Sequence, residues 1–239
     1  MTFRVATVTA IVVQVGLGAV SNVLFIAAFQ GRPEWFADPA LVVTGGAVSA
    51  ELFKWAALTD LASYYLPTAV VALAIWRAVG ERRPALAAVS IAAALGYVLI
   101  GGAGAAALAM AGAPLIGEYD QPGADRAAIA AIFGTLVDIV FRAIWQLIDG
   151  ILLAVWFLAT GMLVGRDRPG FARLSVLLGG LIAAGTAMNV LGLTLVRDIG
   201  LGFVFVLWAA WSIWMAVLVW RRRPPFDALD ASDASGRGP

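Results

Sequence analysis

The chain has 239 residues, a net charge of +1, and 13% charged against 62% apolar residues. A soluble domain carries about 25% charged residues, so these proportions belong to a chain surrounded by lipid. Cys and His are absent, which excludes disulfides, thiol catalysis, Cys/His zinc sites, c-type haem attachment and imidazole proton shuttling.

Six apolar spans follow one another. A bilayer core of about 30 Å takes about 20 helical residues. The first span covers residues 5–29, behind Arg4. It is too long for a signal-peptide core and lacks a clear cleavage site, so it is expected to stay as a helix. The second covers 52–75 and the third 84–110. The fourth ends near Val164 and has an unusually long upstream extension, forty residues from 126 to 165, or about 60 Å as one helix. Its one turn-like pair, Asp149-Gly150, sits inside an apolar run, so one helix projecting outward is expected rather than two. The fifth covers 174–196 and the sixth 199–220. The sixth holds no lysine, which removes a retinal Schiff base. From Pro224 onward the chain is rich in Asp, Ser and Gly and is expected to be a disordered tail.

Charge orients the spans. Arg77, Arg82 and Arg83 lie between the second and third, Arg166, Arg168 and Arg173 between the fourth and fifth, and Arg221 to Arg223 follow the sixth. The other loops carry Glu34, Asp38, Glu118, Asp120 and Asp125. Arg-rich loops stay cytoplasmic, so both termini are expected inside. A single lysine against fifteen arginines, with many Ala and Gly, points to a GC-rich bacterial genome and hence to the inner membrane. The expected architecture is an all-α six-helix transmembrane domain over 1–223 and a cytoplasmic tail over 224–239, with no separate aqueous domain.

Polar residues gather at one depth in the outer part of the spans. They are Ser21 and Asn22 on the first, Asp60 on the second, Gln146 and Asp149 on the fourth, and Asn189 and Thr194 on the fifth. A carboxylate in hydrocarbon costs a few kcal/mol or more and is a functional suspect for that reason. Asp138, Arg142, Gln146 and Asp149 share one face of a regular helix, and so do Asp60, Ser63, Tyr64 and Pro67. Pro67 leaves the Ser63 carbonyl without its helical donor and marks a kink. One reading is an outward-facing polar pocket that binds or passes a small solute or ion. Asp60 and Asp149 are then its acids, Arg142 the counter-charge at its mouth, and Gln146, Asn22 and Asn189 further lining. The other reading is a structural or regulatory subunit whose polar network only glues helices and whose partner is another membrane protein.

The glycines at 101, 102, 104, 179 and 180 read as close helix contacts. Enzyme signatures are missing: there is no H-E-x-x-H and no G-x-S-x-G. No cofactor and no metal site is expected, and no basic face offers itself to nucleic acid.

Two runs carry a family resemblance. The first is "ELFKWAALTDLASYYLPTAVVALAIWRAV", residues 51–79, where Leu52, Phe53 and Lys54 lead into Asp60-Leu61. The second is "LLAVWFLATGMLVGRDRPGFARLSVLLGGLIAAG", residues 152–185. Together they resemble the uncharacterised bacterial membrane family called domain of unknown function 4386. That resemblance implies a membrane fold with the same span order. It implies no activity and transfers no catalytic residue.

Overall fold

The computed structural model describes residues 2–229, apart from the side chains of 33, 194–201 and 228. Every regular element among the described residues is helical. Six helices are long and apolar enough to cross a membrane: Phe3–Ala28, Pro39–Arg82, Pro84–Tyr119, Arg126–Val164, Pro169–Val190 and Gly202–Trp220. They are numbered first to sixth below; the sixth continues a helix that starts at Thr194. Thr2 accepts from the Val5 N–H to start the first. Pro84 and Pro169 start the third and fifth, where a missing N–H costs no helical bond. Asp125 starts the fourth by accepting from the Ala128 N–H at 3.1 Å.

The number and order of the spans agree with the sequence reading, but their lengths do not. The fourth has the expected length, at 39 residues. The second has 44 and the third 36, about 66 and 54 Å of helix. The first and fifth, with 26 and 22 residues, suit a bilayer. Three long helices therefore project together beyond one end of the bundle. There they build a lobe with its own core of Phe53, Leu108, Ile116 and Phe133, closed by Trp35 from the connection after the first helix and by Val42 from the start of the second. The sequence reading expected only the fourth helix to project in this way; the second and third do so too. The lobe's helices bury apolar faces against one another, so hydropathy does not fall where they leave the bundle.

Each long helix contains a wide, π-type stretch: 61–65 in the second, 108–112 in the third and 138–148 in the fourth. Behind these stretches the N–H groups of Leu66, Ala113 and Asp149 reach back five residues to the carbonyls of Leu61, Leu108 and Ile144. Pro67 and Pro114 follow the first two stretches. The widening is how the helix absorbs a proline that cannot donate.

The opposite end of the bundle is basic. Arg82 pairs with Asp167. The Arg168 Nε donates to the Pro224 carbonyl at 2.8 Å. Arg4 lies over the Trp220 ring at 5.9 Å, and Arg77 over Phe3 at 4.1 Å. The Arg-bearing loops and both ends of the helical body thus meet at one end. Phe226 and Leu229 are buried there, so 224–229 packs with the bundle instead of opening a tail at Pro224. Residues 230–239 lie outside the described residues.

The fourth and fifth helices approach to backbone contact. A Cβ on Gly179 would sit 3.0 Å from the Ala154 carbonyl oxygen and 2.7 Å from the Leu158 Cγ. Gly180 faces open space, so only Gly179 of that pair makes the expected close contact.

Candidate functional site

Four helices meet at Asp149. Its side chain is 3% exposed. The Tyr65 hydroxyl, on the second helix, donates to its Oδ2 at 3.2 Å. Its Oδ1 is buried without a hydrogen-bond partner among the described residues. Gly101 of the third helix leaves the space the carboxylate fills, for a Cβ there would lie 2.1 Å from Oδ2 and 2.3 Å from the Tyr65 Cε1. The neighbouring Gly150 makes the same allowance for Thr186 of the fifth helix, whose Oγ1 would lie 2.1 Å from a Cβ. Tyr97 backs Tyr65, with ring centroids 4.7 Å apart. Trp145 covers the site from the lobe side by donating from its indole N–H to the Gly101 carbonyl at 3.3 Å.

Asp60 is half-buried and lies within electrostatic reach of Asp149. The Ser21 hydroxyl is its neighbour on the first helix and also donates to the Ala56 carbonyl at 3.1 Å. One hydroxyl carries one proton, so Ser21 serves one acceptor at a time. No Arg or Lys among the described residues is ion-paired with either acid. Two carboxylates share a low-dielectric region, where each charge costs several kcal/mol or so in lost hydration. No group of three or more acidic side chains gathers to cage a metal among the described residues.

A second polar network runs beside the acids. The Asn22 amide donates to the Tyr64 hydroxyl at 3.0 Å and to the Gly18 carbonyl at 2.9 Å. Deeper in, the Gln14 amide donates to Thr68 at 3.1 Å, and Ser212 donates to the Gln14 carbonyl oxygen at 3.4 Å. These bonds tie the first helix to the second and sixth.

The structure therefore brings Asp60 within electrostatic reach of Asp149, and it places Asn22 next to Asp60's helix through Tyr64. Gln146 and Asn189 are half-buried on the fourth and fifth helices. Thr194 begins its helix, and its side chain lies outside the described residues. Arg142 stays away from the acids. It is paired with Asp138 at 3.0 Å, and both side chains are more than half exposed, at 62% and 60%. The shared face expected for Asp138 through Asp149 assumed regular turns. Wide turns hold more residues, so the step from Arg142 to Asp149 falls short of two full turns. Arg142 then faces out where Asp149 faces in. The same effect in the second helix turns Tyr65, not Tyr64, toward Asp149. Tyr65, Tyr97, Gly101, Trp145 and Thr186 were not singled out as site residues from sequence. The glycine cluster and the Tyr64-Tyr65 pair were the available signals.

Two surface clefts stand out among the described residues. One is a shallow apolar strip along 131–139 of the fourth helix. The other, of about 570 Å3, lies between the start of the second helix and the end of the third. Neither is lined by Asp60 or Asp149.

Comparison with family models, curated proteins and solved structures finds no match for this chain. The likeness to domain of unknown function 4386 rests on the two quoted runs alone.

Proposed function

We propose that the protein is a multi-pass protein of the bacterial inner membrane, with both termini cytoplasmic, that binds or passes one small monovalent cation at Asp60 and Asp149. The observation that carries this reading is the buried Asp149 carboxylate. Among the described residues it holds one hydrogen bond, one oxygen without a partner and a second acid nearby, and no Arg or Lys is ion-paired with it. A cation between the acids would offset the cost of burying them. Counted from Arg4, Arg77, Pro84 and Gly165, the residues Ser21, Asp60, Gly101 and Asp149 all lie about 24–26 Å along their helices. That distance suits a site in the outer part of a core of about 30 Å. The two exposed tryptophans of the second helix, Trp55 and Trp76, are about 32 Å apart along it, which suits interfacial anchors at both faces.

The test is thermal unfolding of the detergent-purified protein against sodium, lithium, potassium and proton concentration, at constant ionic strength held with choline. The wild type should gain stability with one of these cations, by about 2.7 kcal/mol at a hundred times its Kd. Asp149→Asn should lose that response. If wild type and variant respond alike to every cation, the reading fails. Flux of the responding cation in vesicles then separates binding from passage. The Gln14, Thr68 and Ser212 bonds favour a second reading, a structural or regulatory subunit held together by polar contacts. A stable co-purifying membrane partner, with no cation response, would support it.

A further inference from the structure

The second cleft lies apart from the acids and has different chemistry. Its floor is made of small residues from both walls, Ala50, Ala113 and Gly117, with Met110 at one edge. Its rim carries Glu51, Lys54 and Glu118. Lys54 is the chain's one lysine. Its Nζ stands 3.9 Å from Glu51 Oε1, too long for a hydrogen bond, so the ammonium keeps donors for another acceptor. Lys54 also lies beside Trp55, 5.9 Å from the ring. Trp55 is 54% exposed, as an interfacial tryptophan would be. Along the helix Lys54 is about 35 Å from Arg77, just past a hydrocarbon core of about 30 Å and inside the headgroup layer.

From this cleft, its mixed rim and its depth, we propose a site for the headgroup of a zwitterionic phospholipid ending in a primary ammonium. Lys54 donates to the lipid phosphate. Glu51 and Glu118 accept from the ammonium. The small-residue floor, Ala50, Ala113 and Gly117, lies farther out than Lys54 and lets the ammonium end of the headgroup lie close to the helices, while the glycerol and acyl chains run from the phosphate toward the bilayer core. Two acids against one base give the rim a net charge of −1, which disfavours an anionic headgroup. The volume lies within the usual range for a small-molecule site, about 300–1,000 Å3. This inference rests on the bilayer reading above and not on the cation site.

The experiment is native mass spectrometry of the full chain in detergent, titrated separately with phosphatidylethanolamine, phosphatidylglycerol and phosphatidylcholine. Phosphatidylethanolamine should be retained about tenfold better than phosphatidylglycerol. Lys54→Gln and Glu118→Gln should each weaken its retention about tenfold, the scale of one charge-assisted contact. Melting of both variants should stay at the wild-type value, because both side chains sit on the rim. Glycerophosphoethanolamine, which has the headgroup without acyl chains, should compete only weakly. If it competes as well as the intact lipid, the site takes a soluble solute and the lipid proposal is overturned. Equal retention of all three lipids, or retention unchanged in both variants, overturns this proposal while leaving the bilayer reading in place. A chain that stays in solution without detergent and retains no lipid overturns both.

Discussion

Replacing Gly101 with alanine adds one methyl group at the most crowded point of the acid site. The new Cβ would lie 2.1 Å from Asp149 Oδ2, 2.3 Å from Tyr65 Cε1 and 2.8 Å from Asp149 Cγ. Real carbon contacts are near 3.5–4.0 Å, so both side chains must move by more than an ångström. Neither has free space, since Tyr65 and Asp149 are 4% and 3% exposed. Overpacking of this kind costs about 1–3 kcal/mol. The Tyr65–Asp149 bond at 3.2 Å would be broken as well, adding about 1–3 kcal/mol for a buried acceptor left unsatisfied. The expected loss is about 2–6 kcal/mol. At about 2–4 °C per kcal/mol for a chain of this size, melting should fall by more than about 4 °C. Gly180→Ala is the control, because nothing lies within 4 Å of its Cβ position. It should be neutral, or stabilising by up to about 1 kcal/mol through helix propensity. Both variants are read by thermal unfolding in the same detergent. If Gly101→Ala melts with the wild type, the second, third and fourth helices do not close on Asp149 as described, and the site's geometry is wrong.

Asp149→Asn keeps the shape and removes the charge, so melting should hold or rise by up to about 2 kcal/mol; a clear fall would mark the acid as a structural partner instead. Gly150→Ala should destabilise by about 1–3 kcal/mol through its clash with Thr186, and adding Thr186→Ala should recover most of that loss, which a double-mutant cycle of melting temperatures would measure. Arg142→Ala removes an exposed ion pair and should cost less than about 1 kcal/mol without altering any cation response; a lost response would restore Arg142 to the site. Gln14→Leu takes the acceptor from the buried Ser212 hydroxyl, while Thr68 keeps its bond to the Tyr64 carbonyl, and should lower stability by about 1–3 kcal/mol.

The six spans and the basic end were legible because hydropathy and arginine placement act over whole segments. Lys54 stood out as the one lysine, but nothing in a one-dimensional pattern sets it on the wall of a cleft. The lobe was missed in the second and third helices because residues such as Phe53, Leu108 and Ile116 are as apolar as those inside the bundle. Asp60 and Asp149 were found because buried acids are rare enough to stand out by type alone. Their surroundings were not, because face assignments counted regular turns. The wide stretch 138–148 carries Arg142 outward, and the stretch 61–65 exchanges Tyr65 for Tyr64. Gly101 was seen as a close contact, but the sequence could not say that the contact is a carboxylate.

The uninterrupted passage of three helices from lobe to bundle has a mechanical consequence. No loop decouples Phe133 in the lobe from Asp149 below it, since both lie on the helix Arg126–Val164. The lobe is a handle on that acid, with Phe133 about 24 Å above it, and it turns with it. A partner, a ligand or a lateral pressure that twists the handle therefore applies torque where Tyr65 meets Asp149. The least regular turns of the same rod, 138–148, lie between the two and are where such a twist would be taken up.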